Sequence, residues 1–234
     1  MPNSRALKRS KTSEAVIEYL LQALFEGRLR SGDRVDIDEV SETLGVSRSP
    51  VREALTILER DGIVTTVFHR GVYVEPFDTD SILDDFEIYG ILSSVAVARL
   101  ARRKDPEVIA ELQVLLGELE ATAPDQPERV VELVQEIMRI EHRTGGSRRL
   151  RAELRTFASF LPWIFRVAGG RSHDKVVREQ GRVIRAIAAG DADKAARYRA
   201  DDVMAAGRDI VRELVRQGVF DERGQPVKTG EPRS

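Results

Sequence analysis

No cysteine occurs among the 234 residues. That absence excludes disulfides and thiolate chemistry and fits a reducing compartment, so a cytoplasmic location is expected. Aromatic residues are scarce, at 6%, which leaves the cores to aliphatic side chains. No apolar run approaches the roughly 20 residues that span a bilayer. The start, Met1 to Lys11, is basic and polar and lacks the apolar stretch of a secretory signal, so no membrane partner is expected. There is no Gly-rich phosphate loop and no Gly-x-Ser-x-Gly elbow. The acid pairs Asp84-Asp85 and Asp201-Asp202 are adjacent, so their members point in different directions on a helix. Nothing indicates an enzyme. The net charge is only −2, and any affinity for nucleic acid must come from where the arginines sit.

What is present divides near residue 76. The length allows two domains of ordinary size, and a hydrophobic share of 41% suffices for packed cores. Arg5, Lys8, Arg9 and Lys11 precede the first periodic segment. Residues 1–12 therefore read as a basic, flexible N-terminus, either a solvated end or an arm that adds phosphate contacts on DNA. A helix is predicted from Thr12 or Ser13, with Val16, Ile17, Leu20, Leu21, Leu24 and Phe25 on one face, ending at Gly27. Residues 29–33 read as a turn. Asp36 with Glu39 three residues on is a capping-box-like start for a short helix that carries Ile37, Val40 and Leu44 inward and stops at Gly45.

The next helix has two chemically different faces. Val51, Leu55 and Leu58 recur at helical spacing and pack inward. Arg48 and Arg52, four residues apart, stack on the outer face near the helix start. Ser47 or Ser49 can cap, and Pro50 is tolerated in the first turn. Arginines and serines at a helix N-terminus suit phosphate oxygens and guanine edges in a DNA major groove. A short helix, a turn and this second helix make a helix-turn-helix. The β-branched runs 63–67 and 72–74, around a turn at His69, Arg70 and Gly71, make a hairpin wing. Arg70 at its tip would reach backbone or minor groove, with Gly71 permitting close approach. His69 is either a contact or a simple turn residue. Residues 13–76 are thus expected to be a winged helix-turn-helix domain.

Pro76 breaks the last strand, and the pattern turns helical. Helices are predicted at 80–103, 106–121, 127–144, 147–168, 172–189 and 191–217, punctuated by Asp105-Pro106, Gly145-Gly146, Gly169-Gly170 and Gly190-Asp191. The fold class is mainly α, an N-terminal winged helix-turn-helix followed by an all-helical bundle over 77–221. Residues 222–234, polar with glycine and proline, read as a flexible tail. Phe157, Phe160, Trp163 and Phe165 cluster on one segment and suit a core or a dimer interface better than a ligand box.

The run Gly27-Arg28-Leu29-Arg30-Ser31-Gly32-Asp33-Arg34, the stretch from Gly45 to Leu55, and Leu58-Glu59-Arg60-Asp61-Gly62 with the wing resemble the GntR superfamily of bacterial transcription regulators. The helical part resembles the effector domain of the FadR branch at Ala98 to Ala101, at Gly146 to Leu150 and at Ile184 to Asp191. The resemblance implies a homodimer on a palindromic operator in double-stranded DNA, with contacts from Arg48 and Arg52 and from the wing tip at His69, Arg70 and Gly71. Ser47, Ser49 and Pro50 at the same helix start are expected to join them, and a repressor is expected. Some fatty-acid-responsive relatives place a DNA-contacting arginine where this chain has Asp38. A carboxylate there repels phosphate, so that contact is not carried over.

Many relatives hold a divalent metal in the bundle with an aspartate and three histidines, beneath a carboxylate effector. The matching positions here are Val134, Met138, Gln180 and Asp202. Valine and methionine do not replace hard oxygen and imidazole ligands, so no metal and no cofactor are expected. The family's arginine and glutamate on the first bundle helix are replaced by Gly90 and Ser94. With metal and arginine both gone, the positive charge that would hold a small carboxylate is expected to be gone too. A cavity lined by Val134, Ile137, Met138 and Gln180, with His142, His173 and Asp202 nearby, suits an apolar effector, and some members of the branch bind fatty acyl thioesters without metal. The alternatives are residues that simply fill a core, a rearranged metal site on His142, His173 and Asp202 serving a carboxylate effector, and a winged helix used for protein contacts without an effector.

Overall fold

The computed structural model describes residues 4–60, 62–75, 78–157 and 172–227. The chain divides into two compact units, Met1–Thr79 with Leu214–Ser234, and Asp80–Glu213.

The first unit begins with α1 (Ser4–Phe25). The helix begins eight residues before the start expected at Thr12, because Arg5, Ala6, Leu7, Lys8 and Arg9 are good helix formers with no breaker among them. Its apolar positions Val16, Ile17, Leu20, Leu21 and Leu24 are buried. They belong to the same core as Val51, Ala54, Leu55 and Leu58 of α3 (Arg48–Arg60), the helix on which α1 packs. Fully burying an aliphatic side chain of this size is worth roughly 1.5–3 kcal/mol. Between them lies α2 (Ile37–Leu44). Asp36 caps it, accepting from the amides of Asp38 at 2.9 Å and Glu39 at 3.2 Å.

Two strands, β2 (Val64–Val67) and β3 (Gly71–Val74), pair antiparallel in the expected hairpin. A third, β1 (Arg34–Val35), pairs with the outer side of β3, giving the order β1-β3-β2 with Arg34 opposite Tyr73. Two residues are too few to show an alternating pattern, so β1 left no periodic trace in the sequence. The chain after α9 differs from the flexible tail expected over 222–234. Its described part turns back on itself through a bridge between Phe220 and Pro226. Phe220 is buried, the Arg30 guanidinium donates to the Val227 carbonyl, and the Thr79 amide donates to Gly224 O at 3.0 Å.

The second unit is helical: α4 (Thr79–Arg103), α5 (Pro106–Ala121), α6 (Pro127–Gly145), α7 (Arg148–Leu154) with a 3-10 turn over Arg155–Phe157, α8 (His173–Ala189) and α9 (Ala192–Arg216). Asp105 caps α5 with Pro106 as its first residue, a position where the missing N–H costs nothing. Ser147 caps α7 through the Leu150 amide. Of the helix predicted over 147–168, α7 ends at Leu154 and Arg155–Phe157 form the 3-10 turn; the rest, including Phe160, Trp163 and Phe165, lies outside the described residues. Leu100, Leu112, Leu119, Ile137, Ile140, Val183 and Ile187 form the aliphatic core, as the low aromatic content requires.

Candidate functional site

The first candidate site lies on α2, α3 and the wing. Gly45 closes α2 in the left-handed region at φ 62°, ψ 34°, its amide donating to Glu42 O and Ser41 O. A side chain there would be strained, so glycine sets the angle at which the chain enters α3. Ser47, Arg48, Ser49 and Arg52 are exposed. Pro50 is not. It is buried with Val51, Ala54 and Leu55, so its ring faces the interior and only its neighbours are offered outward. Arg52 makes no ion pair among the described residues. Arg48 does: its Nε lies 2.5 Å from Asp38 Oδ1 and its Nη2 donates to Oδ2 at 2.8 Å. Asp38, expected only to repel phosphate, therefore ties α2 to the first residue of α3.

At the wing tip, Phe68, His69 and Arg70 bridge Val67 to Gly71, and the Arg70 amide closes the turn on Val67 O at 2.9 Å. His69 sits at φ 59°, a region sparse for residues other than glycine. Gly71, at φ 114°, meets the Arg34 guanidinium so closely that a Cβ would stand 3.0 Å from its Nε. The close approach permitted by Gly71 is thus made by the protein's own Arg34. Phe68 belongs to no motif in the sequence. It is 84% exposed with its ring 3.9 Å from that of His69, and an aromatic next to His-Arg-Gly in a predicted turn was its only signal.

The second candidate site is a cavity of about 890 Å³ within the helical unit. Val134, Met138, His142, His173, Gln180 and Asp202 all line it. Ile137 does not; it is fully buried in the aliphatic core on the neighbouring face of α6. Phe157 joins the wall, its ring 5.5 Å from that of Tyr89, which in turn meets His142 edge-on at 5.7 Å.

The expected loss of positive charge is not what the structure shows. Arg199 of α9 lines the cavity while being 1% exposed. Its Nη2 donates to Glu141 Oε1 of α6 at 2.5 Å, and Nη1 and Nη2 donate to Gln180 Oε1 of α8 at 3.2 and 3.1 Å. Three helices are pinned at one guanidinium. Among the described residues Glu141 Oε2 and Arg199 Nε have no hydrogen-bond partner. Burial pushes the Glu141 carboxyl up, against the pull of Arg199. Burial, then Arg199, pushes His142 down to about 4, so its imidazole is neutral near pH 7. The one sequence trace of this pair is Glu141's place on the inward face of α6, three residues after Met138 and four after Ile137. Arg199, 58 residues away, left none.

The family's metal does not fit these residues. Val134 and Met138 offer no hard donor, and the others are engaged elsewhere. His142 Nε2 is 3.1 Å from Ser93 Oγ, His173 Nε2 is 2.9 Å from Leu119 O, and Asp202 is gripped side-on by the Arg182 guanidinium. Among the described residues no three His, Asp or Glu side chains are grouped to hold a metal. The rearranged site on His142, His173 and Asp202 is thus not assembled, although all three line one cavity. No helix among the described residues is long and apolar enough to cross a membrane.

Comparison with known proteins gives consistent matches. A family described as bacterial regulatory proteins, gntR family, matches residues 12–74, and the FCD domain matches residues 84–201. An uncharacterised HTH-type transcriptional regulator of Mycobacterium tuberculosis is 36% identical over 167 residues, 71% of this chain and 68% of that protein. The Nta operon transcriptional regulator of Aminobacter aminovorans is 29% identical over 107 residues, 46% of this chain and 51% of that protein. Among solved structures, E. coli McbR/YncC shares the fold at a TM-score of 0.62 and 20% identity, over 86% of this chain and 97% of that one.

Proposed function

This chain belongs to the GntR family of bacterial helix-turn-helix transcription regulators and carries an FCD effector-binding domain, and on that premise we propose that it is a homodimeric repressor of a palindromic operator. The observation that carries the reading is the exposed start of α3, where Ser47, Arg48, Ser49 and Arg52 face outward over a buried Pro50 and Val51. Arg70 at the wing tip, exposed beside His69 and Phe68, adds backbone or minor-groove contacts. A dimer repeats these contacts about a two-fold axis, as a palindrome requires.

The effector is held without metal in the cavity of the helical unit. Val134, Met138, Val176, Phe157 and Leu154 make much of the wall apolar, and the volume suits a drug-sized or fatty-acyl type molecule. Glu141 already compensates the Arg199 charge and Arg182 that of Asp202. A small carboxylate would thus find the buried Arg199 already compensated; Arg139, Arg143, Arg151 and Arg155 also line the cavity, the first two paired with Glu136 and Glu111. The effector acts only through its different affinity for DNA-competent and incompetent states. No catalytic step is assigned to the chain.

Binding of fragmented genomic DNA to the purified protein, read by sequencing and repeated with Arg48 and Arg52 replaced, tests the reading. A short palindrome lost in the variant supports it. No enriched site, or one indifferent to both arginines, overturns it.

A further inference from the structure

We propose that Asp38 is a positioning residue for base recognition: by gripping one edge of Arg48 it aims the other edge at a guanine and keeps the side chain off the phosphates. The proposal rests on Arg48 being an operator contact, as read above.

A guanidinium carries five N–H donors, one on Nε and two on each terminal nitrogen. Asp38 takes the side-on edge, with Oδ1 2.5 Å from Nε and Oδ2 2.8 Å from Nη2. That leaves both hydrogens of Nη1 and one of Nη2, whose parallel pair forms the end-on edge. Two parallel donors at that spacing match O6 and N7 of guanine in the major groove. Arg48 alone could rotate freely and spend its charge on whichever phosphate lay nearest. Paired with Asp38, its rotamer is fixed before DNA arrives, which lowers the ordering cost of the contact. Both side chains are more than half exposed, 64% for Arg48 and 57% for Asp38. In water such an exposed pair adds little to stability, so folding by itself gives Asp38 small reason to be there. Its carboxylate also stands where a phosphate would approach Arg48, and it repels one. The pair therefore exchanges sequence-independent attraction for discrimination at one base pair.

The test uses the full-length protein and randomised duplex DNA, selected for binding and sequenced, with affinity measured against salt. The proteins are wild type, Asp38→Ala, Asp38→Asn, Asp38→Glu and Arg48→Ala, each checked for unchanged thermal unfolding. Wild type is expected to prefer guanine at one operator position by about five- to a hundred-fold, and Arg48→Ala to lose that preference. Asp38→Ala should keep or gain affinity for random DNA while its guanine preference falls severalfold. Its salt slope should steepen by about 0.9 per protomer as Arg48 turns to a phosphate. Asp38→Asn should fall between, and Asp38→Glu should restore part of the preference. Unchanged base preference and salt slope in Asp38→Ala, with Arg48→Ala still losing guanine, overturn the role of Asp38 alone. Guanine preference that survives in Arg48→Ala overturns the contact itself, and the proposal with it.

Discussion

Replacing Arg199 by methionine tests the buried centre of the helical unit. Arg199 and Glu141 are 1% and 0% exposed at their side chains, and the pair is bonded through a single Nη2 to Oε1 contact. Among the described residues Glu141 Oε2 has no hydrogen-bond partner even with Arg199 present. In Arg199→Met the carboxylate keeps its burial and loses the compensating charge of Arg199, while Gln180 loses both Arg199 donors to its Oε1. Breaking one member of such a pair costs about 3–5 kcal/mol, a large part of the roughly 5–15 kcal/mol that holds a domain together. Replacing both, Glu141→Leu with Arg199→Met, removes two desolvated charges at once and should return most of that loss. Urea unfolding followed by circular dichroism gives the three stabilities. The pH dependence supplies a second check. Burial raises the Glu141 carboxyl above its ordinary range, so folding favours its protonated form. Its contribution is fullest below pH about 4.5 and is lost as pH rises through the raised value. Without Arg199 the rise is larger, so the deficit of the single variant should shrink on acidification from pH 7 towards 5. A double variant as unstable as Arg199→Met, or a deficit indifferent to pH, refutes the reasoning.

Arg52→Ala should weaken specific operator binding by about 1–3 kcal/mol if the residue reads a base, measured by fluorescence anisotropy; unchanged affinity removes it from the interface. His142 behaves oppositely to Glu141. Its folded value of about 4 lies below the ordinary 6.5, so its contribution is full above pH 6.5 and is lost as pH falls towards 4, by roughly 3 kcal/mol at most and less where the cavity admits water. The unfolding free energy of His142→Gln should lack that part of the acid-side slope. Elemental analysis of the purified protein should find no stoichiometric transition metal, since His142, His173 and Asp202 are each bonded elsewhere; one metal per chain contradicts the metal-free cavity.

Residues of the first unit announce themselves through neighbours in sequence. The Asp36 cap, the left-handed Gly45, the inward series Val51, Leu55 and Leu58, and the hairpin around His69 to Gly71 are all set by interactions within a few residues. A helical period, a turn glycine and a β-branched run are visible without tertiary structure for that reason. The same holds for most helix limits in the second unit, where Asp105-Pro106 and Gly190 mark ends that the structure keeps. The six cavity residues came from the resemblance to the FadR branch and from the scarcity of histidine rather than from any periodic pattern, and all six line the cavity.

Tertiary structure decided the charges. Asp38 and Arg48 are ten residues apart, Arg182 and Asp202 twenty, and Glu141 and Arg199 fifty-eight. Whether a given arginine meets solvent, a phosphate or a buried carboxylate depends on which helices come to lie side by side. A linear pattern holds no trace of that, because the Coulomb energy of a pair depends on its distance in space and on the water removed around it. Sequence alone thus determined the helices, the turn and the outward arginines of the DNA-binding unit. Packing alone determined that a buried arginine, Arg199, lines the cavity and that Glu141 is paired with it.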